Sequence, residues 1–128
     1  CLGRALSLTE VRQILDHVGL TQTIAELPDS LETPLLPNGS PLTYEQCLRL
    51  TLARALIGQP RLLLLDRVLD QVDNRMLPTI LDHLLAQNTP WTLIVTSQRE
   101  DVIARFNRHI KIVNGRLSSN KIGNEGAS

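Results

Sequence analysis

"PRLLLLDRVLDQVD", residues 60–73, sets four consecutive leucines ahead of an aspartate and follows them with an arginine. An unbroken apolar run of this length is the pattern of a parallel strand buried on both faces; a half-solvated strand would alternate. "WTLIVTS", residues 91–97, is a second run of the same kind. Between them a helix is expected to start near Asp73 and carry Leu77, Ile80, Leu81, Leu84 and Leu85 inward, with Pro78 near its first turn, where a missing backbone donor costs least. "REDVIARF" reads as a short helix, and "HIKIVNGRLSS" as two short strands joined by Asn114-Gly115, a strong hairpin turn. The order strand, helix, strand, helix, strand predicts an α/β domain with parallel pairing and right-handed crossovers.

Upstream, "SLTEVRQILDHVGL" opens with Ser7 and Glu10 at capping-box spacing, runs Val11, Ile14, Leu15 and Val18 at helical periodicity, and stops at Gly19. "TQTIAEL" predicts a short helix capped by Thr21 and ended by Pro28. The proline-rich "PDSLETPLLPNGSPL" predicts a loop. In "LTYEQCLRLTLARALIG", Thr43 and Gln46 repeat the capping-box spacing and helix formers run to Gly58, a suitable terminal cap. The polar "NKIGNEGAS" predicts a frayed tail.

Composition narrows the function. A chain of 128 residues with 42% hydrophobic residues can bury one core. Lys plus Arg and Asp plus Glu are both 13, so no electrostatic footprint for nucleic acid is present. Tyr44, Trp91 and Phe106 are its only aromatic residues, which implies an aliphatic core. Cys1 and Cys47 show neither a disulfide framework nor zinc-site spacing, so a reducing, cytosolic setting fits best. No apolar stretch approaches a membrane span, which predicts a soluble chain, and the first residue is not Met, which suggests a piece of something larger. His17 and His83 fall in helical segments and His109 precedes a strand; all three read as surface or packed histidines. Cys47 reads as a small packing residue.

Ligands of open α/β sheets gather at the carboxyl ends of strands, where Asp66 and Gln98 stand. An aspartate there either holds a hydrated Mg²⁺ against nucleotide phosphates or merely turns the chain into the next loop. Read together, "PLTYEQCLRLTLARAL", "PRLLLLD", "DQVD" and "TLIVTSQ", in this order and spacing, resemble the nucleotide-binding domain of ABC transporters from its signature motif onward. The segment before them is similar to the helical subdomain of exporter-type, type I secretion-like members, and the resemblance covers Ala5 to Leu117. It implies a partial P-loop NTPase fold: residues 1–58 a helical subdomain portion with the signature helix, 59–118 the Walker B, D-loop and switch part of the core, and 119–128 a flexible tail.

Residue by residue, Leu42, Thr43, Tyr44, Glu45 and Gln46 occupy the family's LSGGQ signature positions, with Leu42 and Gln46 matching outright. In the family this helix start meets the γ-phosphate of ATP on the opposite subunit; Tyr44 and Glu45 put a ring and a negative charge where glycine backbone would approach. From the residues alone, Thr43 and Gln46 read more readily as a helix cap with no ligand. Asp66 matches the Walker B aspartate, the indirect Mg²⁺ ligand of the intact domain, and Arg67 stands at the general-base position. Arginine cannot accept a proton from water at neutral pH. Gln98 stands at the switch-histidine position; it can hydrogen-bond a phosphate but carries no charge. Asp73 matches the D-loop aspartate and also reads as a helix N-cap, while Asp70 and Gln71 depart from the family's Ser-Ala.

The phosphate loop GxxxxGK[ST] does not occur in these residues, and the family places it upstream of where the chain begins. The resemblance therefore implies a C-terminal piece whose sheet lacks the phosphate-loop strand, taken from a parent that exports a peptide, protein or other substrate at the cytoplasmic side of a membrane. ATP and Mg²⁺ belong to that parent, with a second nucleotide-binding domain and transmembrane domains as partners; the piece itself is expected to be catalytically inactive. The alternative is a degenerate, non-catalytic domain kept for pairing or regulation. Removing the phosphate-loop strand would bare strand edges, so either self-association or a sheet rearranged around the "HIKIV" hairpin is expected.

Overall fold

The computed structural model describes residues 5–122. Cys1 and the last part of the expected tail lie outside them. Five α-helices and four strands follow the order α1 (Leu8–His17), α2 (Thr21–Ala25), α3 (Tyr44–Ile57), β1 (Leu62–Asp66), α4 (Leu77–Leu84), β2 (Thr92–Thr96), α5 (Glu100–Ile103), β3 (Arg108–Val113) and β4 (Arg116–Ile122), with 3₁₀ turns at Ser30–Glu32 and Leu69–Gln71.

Both expected capping boxes form. The Glu10 amide donates to Ser7 Oγ at 3.1 Å and the Ser7 amide to Glu10 Oε2 at 2.9 Å. At α3 the Gln46 amide donates to Thr43 Oγ1 at 3.2 Å and the Thr43 amide to Gln46 Oε1 at 2.9 Å. Each box satisfies two backbone donors that a helix start would otherwise leave to water. α1 ends where Gly19 takes φ +68, a conformation that costs glycine nothing; a Cβ there would lie 1.9 Å from Met76 Cε.

Several local expectations are corrected. α2 has Leu20, not Thr21, at its N-cap, because the Thr21 hydroxyl donates to Asp16 Oδ1 instead. At the end of α3, Gly58 is the C-cap as expected, on a right-handed backbone, and the left-handed turn falls on Gln59, at φ 47. α4 begins at Leu77 rather than near Asp73: Pro78 lacks the amide that would continue the ladder, so residues 73–76 form a separate turn in which Asp73 Oδ1 accepts from the Arg75 amide at 2.7 Å. β4 continues through Ile122, so the first residues expected as tail extend the hairpin.

β1 and β2 pair in parallel with Leu62 opposite Thr92 and Asp66 opposite Thr96. β3 and β4 form a separate antiparallel pair around Asn114 and Gly115, both at positive φ, as a tight primed turn requires. Among the described residues neither a three-stranded parallel sheet nor a sheet rearranged around the hairpin is present: β3 pairs there with β4 alone, since the two-residue turn closes that ladder locally before any distant strand is needed.

The four leucines of β1 are not buried on both faces. Leu63 and Leu65 lie in the core, whereas Leu62 and Leu64 are 52% and 63% exposed, and Ile94 of β2 is 53% exposed beside them. One face of the β1–β2 pair packs on the helices, and no described element covers the other. The core is aliphatic, as expected: Leu20, Leu56, Leu69, Ile80, Leu81, Leu84 and Val102 are almost wholly enclosed. The Trp91 indole N–H reaches the Leu84 carbonyl at 3.1 Å, tying the start of β2 to the end of α4. No helix among the described residues is long and apolar enough to cross a membrane.

Candidate functional site

The register that sets Asp66 beside Thr96 decides the chemistry of the strand ends. The Thr96 hydroxyl donates to Asp66 Oδ1 at 2.5 Å. The next residue, Arg67, has φ 56, a left-handed backbone that costs a non-glycine residue about 1 kcal/mol. It is held there because its amide donates to both the Thr96 carbonyl and Thr96 Oγ1, each at 3.1 Å. Its guanidinium turns back over the loop, with Nη2 donating to Gln98 Oε1 at 3.3 Å and Nε lying 3.6 Å from Asp70 Oδ2. The positions matched to the base and the switch are therefore in direct contact, as a cation and a neutral amide.

Asp70 is the centre of this loop cluster. It accepts a short hydrogen bond from Ser97 Oγ and another from the Gln98 amide at 3.1 Å, besides the Arg67 ion pair. Arg99 extends the network, donating to the Val72 carbonyl at 3.0 Å, to Asn74 Oδ1 at 2.7 Å and to Asp101. The Arg99 side-chain bonds hold the Asp101 carboxyl below its usual range, and Asp101 in turn raises Arg99. Asp73 is likewise lowered, first by the Arg75 amide and then by the Arg75 side chain.

The signature positions meet this loop from the other side. Leu42 is buried, Tyr44 is 69% exposed, and the Thr43 hydroxyl and Gln46 are committed to the cap. Glu45 points inward. Its Oε2 accepts from both Arg49 Nε at 3.0 Å and Nη2 at 2.8 Å, two charge-assisted bonds on one oxygen, and its Oε1 accepts from the Asp73 amide at 3.3 Å. Arg49 is buried at 7% exposure, and its Nη1 donates to the carbonyls of Val18 at 3.0 Å and Gly19 at 2.8 Å. The end of α1, the start of α3 and the Asp73 loop are thus fastened by one ion pair.

The structure brings Asp66, Arg67 and Gln98 together at the strand ends, and Glu45 and Asp73 together at the α3 end of the loop. Thr43 and Gln46 are bonded to each other at the cap and, like Leu42 and Tyr44, form no hydrogen bond with the strand ends among the described residues. Arg49, Asp70, Ser97 and Arg99 were not foreseen. Arg49 had a usable signal, because Glu45 and Arg49 stand at the i, i+4 spacing of a helical ion pair. For Asp70 only the Arg67 pair, three residues away, lay within local range; its bonds from Ser97 and Gln98 span 27 and 28 residues.

No family model matches the chain. Among curated proteins, it is 31% identical over 108 residues to the mating factor M secretion protein mam1 of Schizosaccharomyces pombe, which covers 84% of this chain and 8% of that protein. It is 32% identical over 107 residues to the ABC multidrug transporter MDR2 of Trichophyton tonsurans, with the same coverage of 84% and 8%. The multidrug resistance-like ATP-binding protein MdlB of Buchnera aphidicola is 28% identical over 116 residues, 91% of this chain and 20% of that one. A solved structure described as a bacterial Atm1-family ABC exporter with ATP bound superposes with TM-score 0.81 at 27% identity, covering 91% of this chain and 20% of the other. The chain therefore spans between 8% and 20% of the length of these relatives. A mixed α/β arrangement that superposes on an ABC exporter over nine-tenths of its length, with relatives of the same kind matching more than four-fifths of it, places this chain in the ABC exporter family.

Proposed function

We propose that this chain is the signature-to-switch part of an exporter's ATP-binding domain, and that by itself it neither holds nor hydrolyses ATP. The observation that carries the reading is Arg67: at the position next to Asp66 stands a guanidinium already paired with Asp70 and Gln98. It offers no lone pair to an attacking water, and loss of a positioned base typically removes about two to four orders of magnitude in rate.

The donor set on this chain fits a magnesium nucleotide incompletely. Asp66 suits an indirect Mg²⁺ contact through water, but one of its oxygens is engaged by Thr96. The Thr43 hydroxyl is spent on the Gln46 amide, Glu45 sets a carboxylate at the α3 start, and no GxxxxGK[ST] loop is present in these residues. In the parent, ATP and Mg²⁺ would be held largely by residues outside this chain, within a P-loop NTPase core whose phosphate-loop strand this piece lacks. The parent's partners would be transmembrane domains and a second nucleotide-binding domain at the cytoplasmic membrane face. Calorimetric titration of MgATP into the 128-residue chain is expected to give no micromolar binding; a micromolar isotherm sinks the reading.

A second reading, a non-catalytic pairing or regulatory domain, is favoured by Glu45. A charged residue at a glycine position has been absorbed as a fold contact, bonded to Arg49 and the Asp73 amide, rather than left as a loose defect. Either reading leaves the sheet incomplete. The apolar outer face bearing Leu62, Leu64 and Ile94, with unpaired β1 and β2 edges, supports association with further chain or with a second copy. Static light scattering is expected to show a mass that rises with concentration. A constant monomer mass would exclude self-association.

A further inference from the structure

His17 and His83, 66 residues apart in sequence, are stacked face to face. Their ring centroids are 3.8 Å apart with planes inclined by 17°, and the Trp91 ring stands edge-on to His83 at 6.0 Å. His17 ends α1 and His83 lies in the last turn of α4, so the stack is a seam between the helical part and the layer that packs on the sheet. His17 Nδ1 and His83 Nε2 are both buried without a hydrogen-bond partner.

In a neutral imidazole one ring nitrogen is only an acceptor, so a buried nitrogen without a donor loses one hydrogen bond. In the cation both nitrogens are N–H donors, and an enclosed one with no acceptor carries charge with nothing to receive it. Charging both rings adds repulsion between cations in van der Waals contact. The stack is compatible with a neutral pair and incompatible with a doubly protonated one. The charged groups on the surrounding elements do not reverse this. Glu10 of α1 lines the same cleft as His83 but caps Ser7, and Asp16 accepts from Thr21. Asp82 of α4 is paired with Arg105 beyond α5, and Arg54 of α3 and Arg12 of α1 carry charge of the wrong sign.

The seam is also wired to the site. Val18 and Gly19, the two residues after His17, supply the carbonyls that hold Arg49, which holds Glu45, which accepts from the Asp73 amide. We propose that the His17–His83 stack is a proton-sensitive latch between α1 and α4, whose opening in acid loosens the Arg49–Glu45–Asp73 connection at the signature end of the site. This does not depend on whether the chain binds nucleotide. It rests on two rings in contact, two orphaned nitrogens and a continuous chain of bonds between two elements.

The sign follows from His83. Burial first, and His17 second, hold its pKa below the ordinary value of 6.5. The folded state therefore binds fewer protons than the unfolded state, so the latch is fully stabilising above the ordinary histidine range and weakens as pH falls through it.

The test uses the 128-residue chain. Imidazole resonances followed by NMR are expected to give coupled titrations, with His83 below the ordinary value. Hydrogen exchange, corrected for intrinsic rates, is expected to show opening in the last turns of α1 and α4 rising about tenfold or more between about pH 7.5 and about pH 5.5, and the Asp73 amide rising with them. The β3–β4 hairpin serves as the internal reference. His83→Phe, which keeps a stacked ring without a proton, should abolish the pH response; His17→Phe should only reduce it, because burial of His83 remains, and His109→Gln should leave it intact. If a phenylalanine variant fails to fold, the titration of the unmodified chain decides alone. Two independent curves near 6.5 with unchanged α1 and α4 protection overturn the latch; a response in the helices without one at Asp73 overturns its connection to the site.

Discussion

Replacing Arg49 with methionine is expected to lower the unfolding free energy by about 3 kcal/mol, the low end for breaking a buried ion pair. The low end applies because the Glu45 side chain keeps 26% of its surface, so water partly compensates the stranded carboxylate. Arg49 fills three needs at once: it neutralises Glu45 and donates to the carbonyls of Val18 and Gly19, which α1 leaves unpaired at its end. Methionine keeps the apolar stem and removes every donor. Arg49→Lys should recover only part of the loss, since one ammonium cannot reproduce both bonds to Glu45 and reach two carbonyls. Glu45→Gln should cost less than Arg49→Met, because the amide oxygen can still accept from Arg49, although its NH₂ then faces the Asp73 amide and that bond is lost. Urea denaturation of the three variants measures the order, and an Arg49→Met variant within about 0.5 kcal/mol of the parent, the range of ordinary surface changes, would show that the clamp stabilises nothing.

Leu69→Ala is expected to cost about 3 kcal/mol by cavity formation and to loosen the loop beneath Arg67. Leu69 is wholly buried and begins the 3₁₀ turn Leu69–Gln71, anchoring a segment whose neighbours Asp70 and Val72 are bound by Ser97, Gln98 and Arg99. Truncation should therefore act at two levels, lowering the denaturation midpoint and raising amide exchange at Gln98, whose N–H is held by Asp70. Leu62→Ala makes the contrast: that side chain lies on the open face at 52% exposure and should change stability little. Equal losses for the two leucines would mean that the open face is covered in solution.

The contrast between those two leucines also shows where sequence reasoning stopped. A run of four apolar residues states that a strand can tolerate burial on both faces. Whether two layers are present is a property of what else packs there, and here only Leu63 and Leu65 are covered. Asp73 shows the same boundary at a helix start. Its side chain does cap a backbone turn, as its residue type favours, but Pro78 delays the helix to Leu77. The hairpin was legible because Asn114-Gly115 carries its own geometry.

At the site, the local pattern singled out Asp66 and Gln98 as strand-end polar residues, whereas Arg67, Asp73 and the five signature positions were marked by the resemblance to the nucleotide-binding domain of ABC transporters. Their interactions were not. Glu45 read as a charge obstructing a helix start, and it is a bonded member of the fold; Asp70 read as a departure, and it is the acceptor that gathers Arg67, Ser97 and Gln98. His17 and His83 read as unrelated packed histidines, and they touch.

By itself, the sequence determined the elements with short-range causes: two capping boxes, a glycine stop, an Asn-Gly turn, an aliphatic core, and an arginine directly after the strand-end aspartate. Tertiary structure alone decided the parallel register that puts Asp66 beside Thr96, the single covered face of the sheet, the Arg49–Glu45–Asp73 clamp and the histidine stack. The physical reason is range. Backbone propensity and capping act within a few residues, whereas each of these features forms between residues that meet only when separate elements pack, and no local pattern carries that distance.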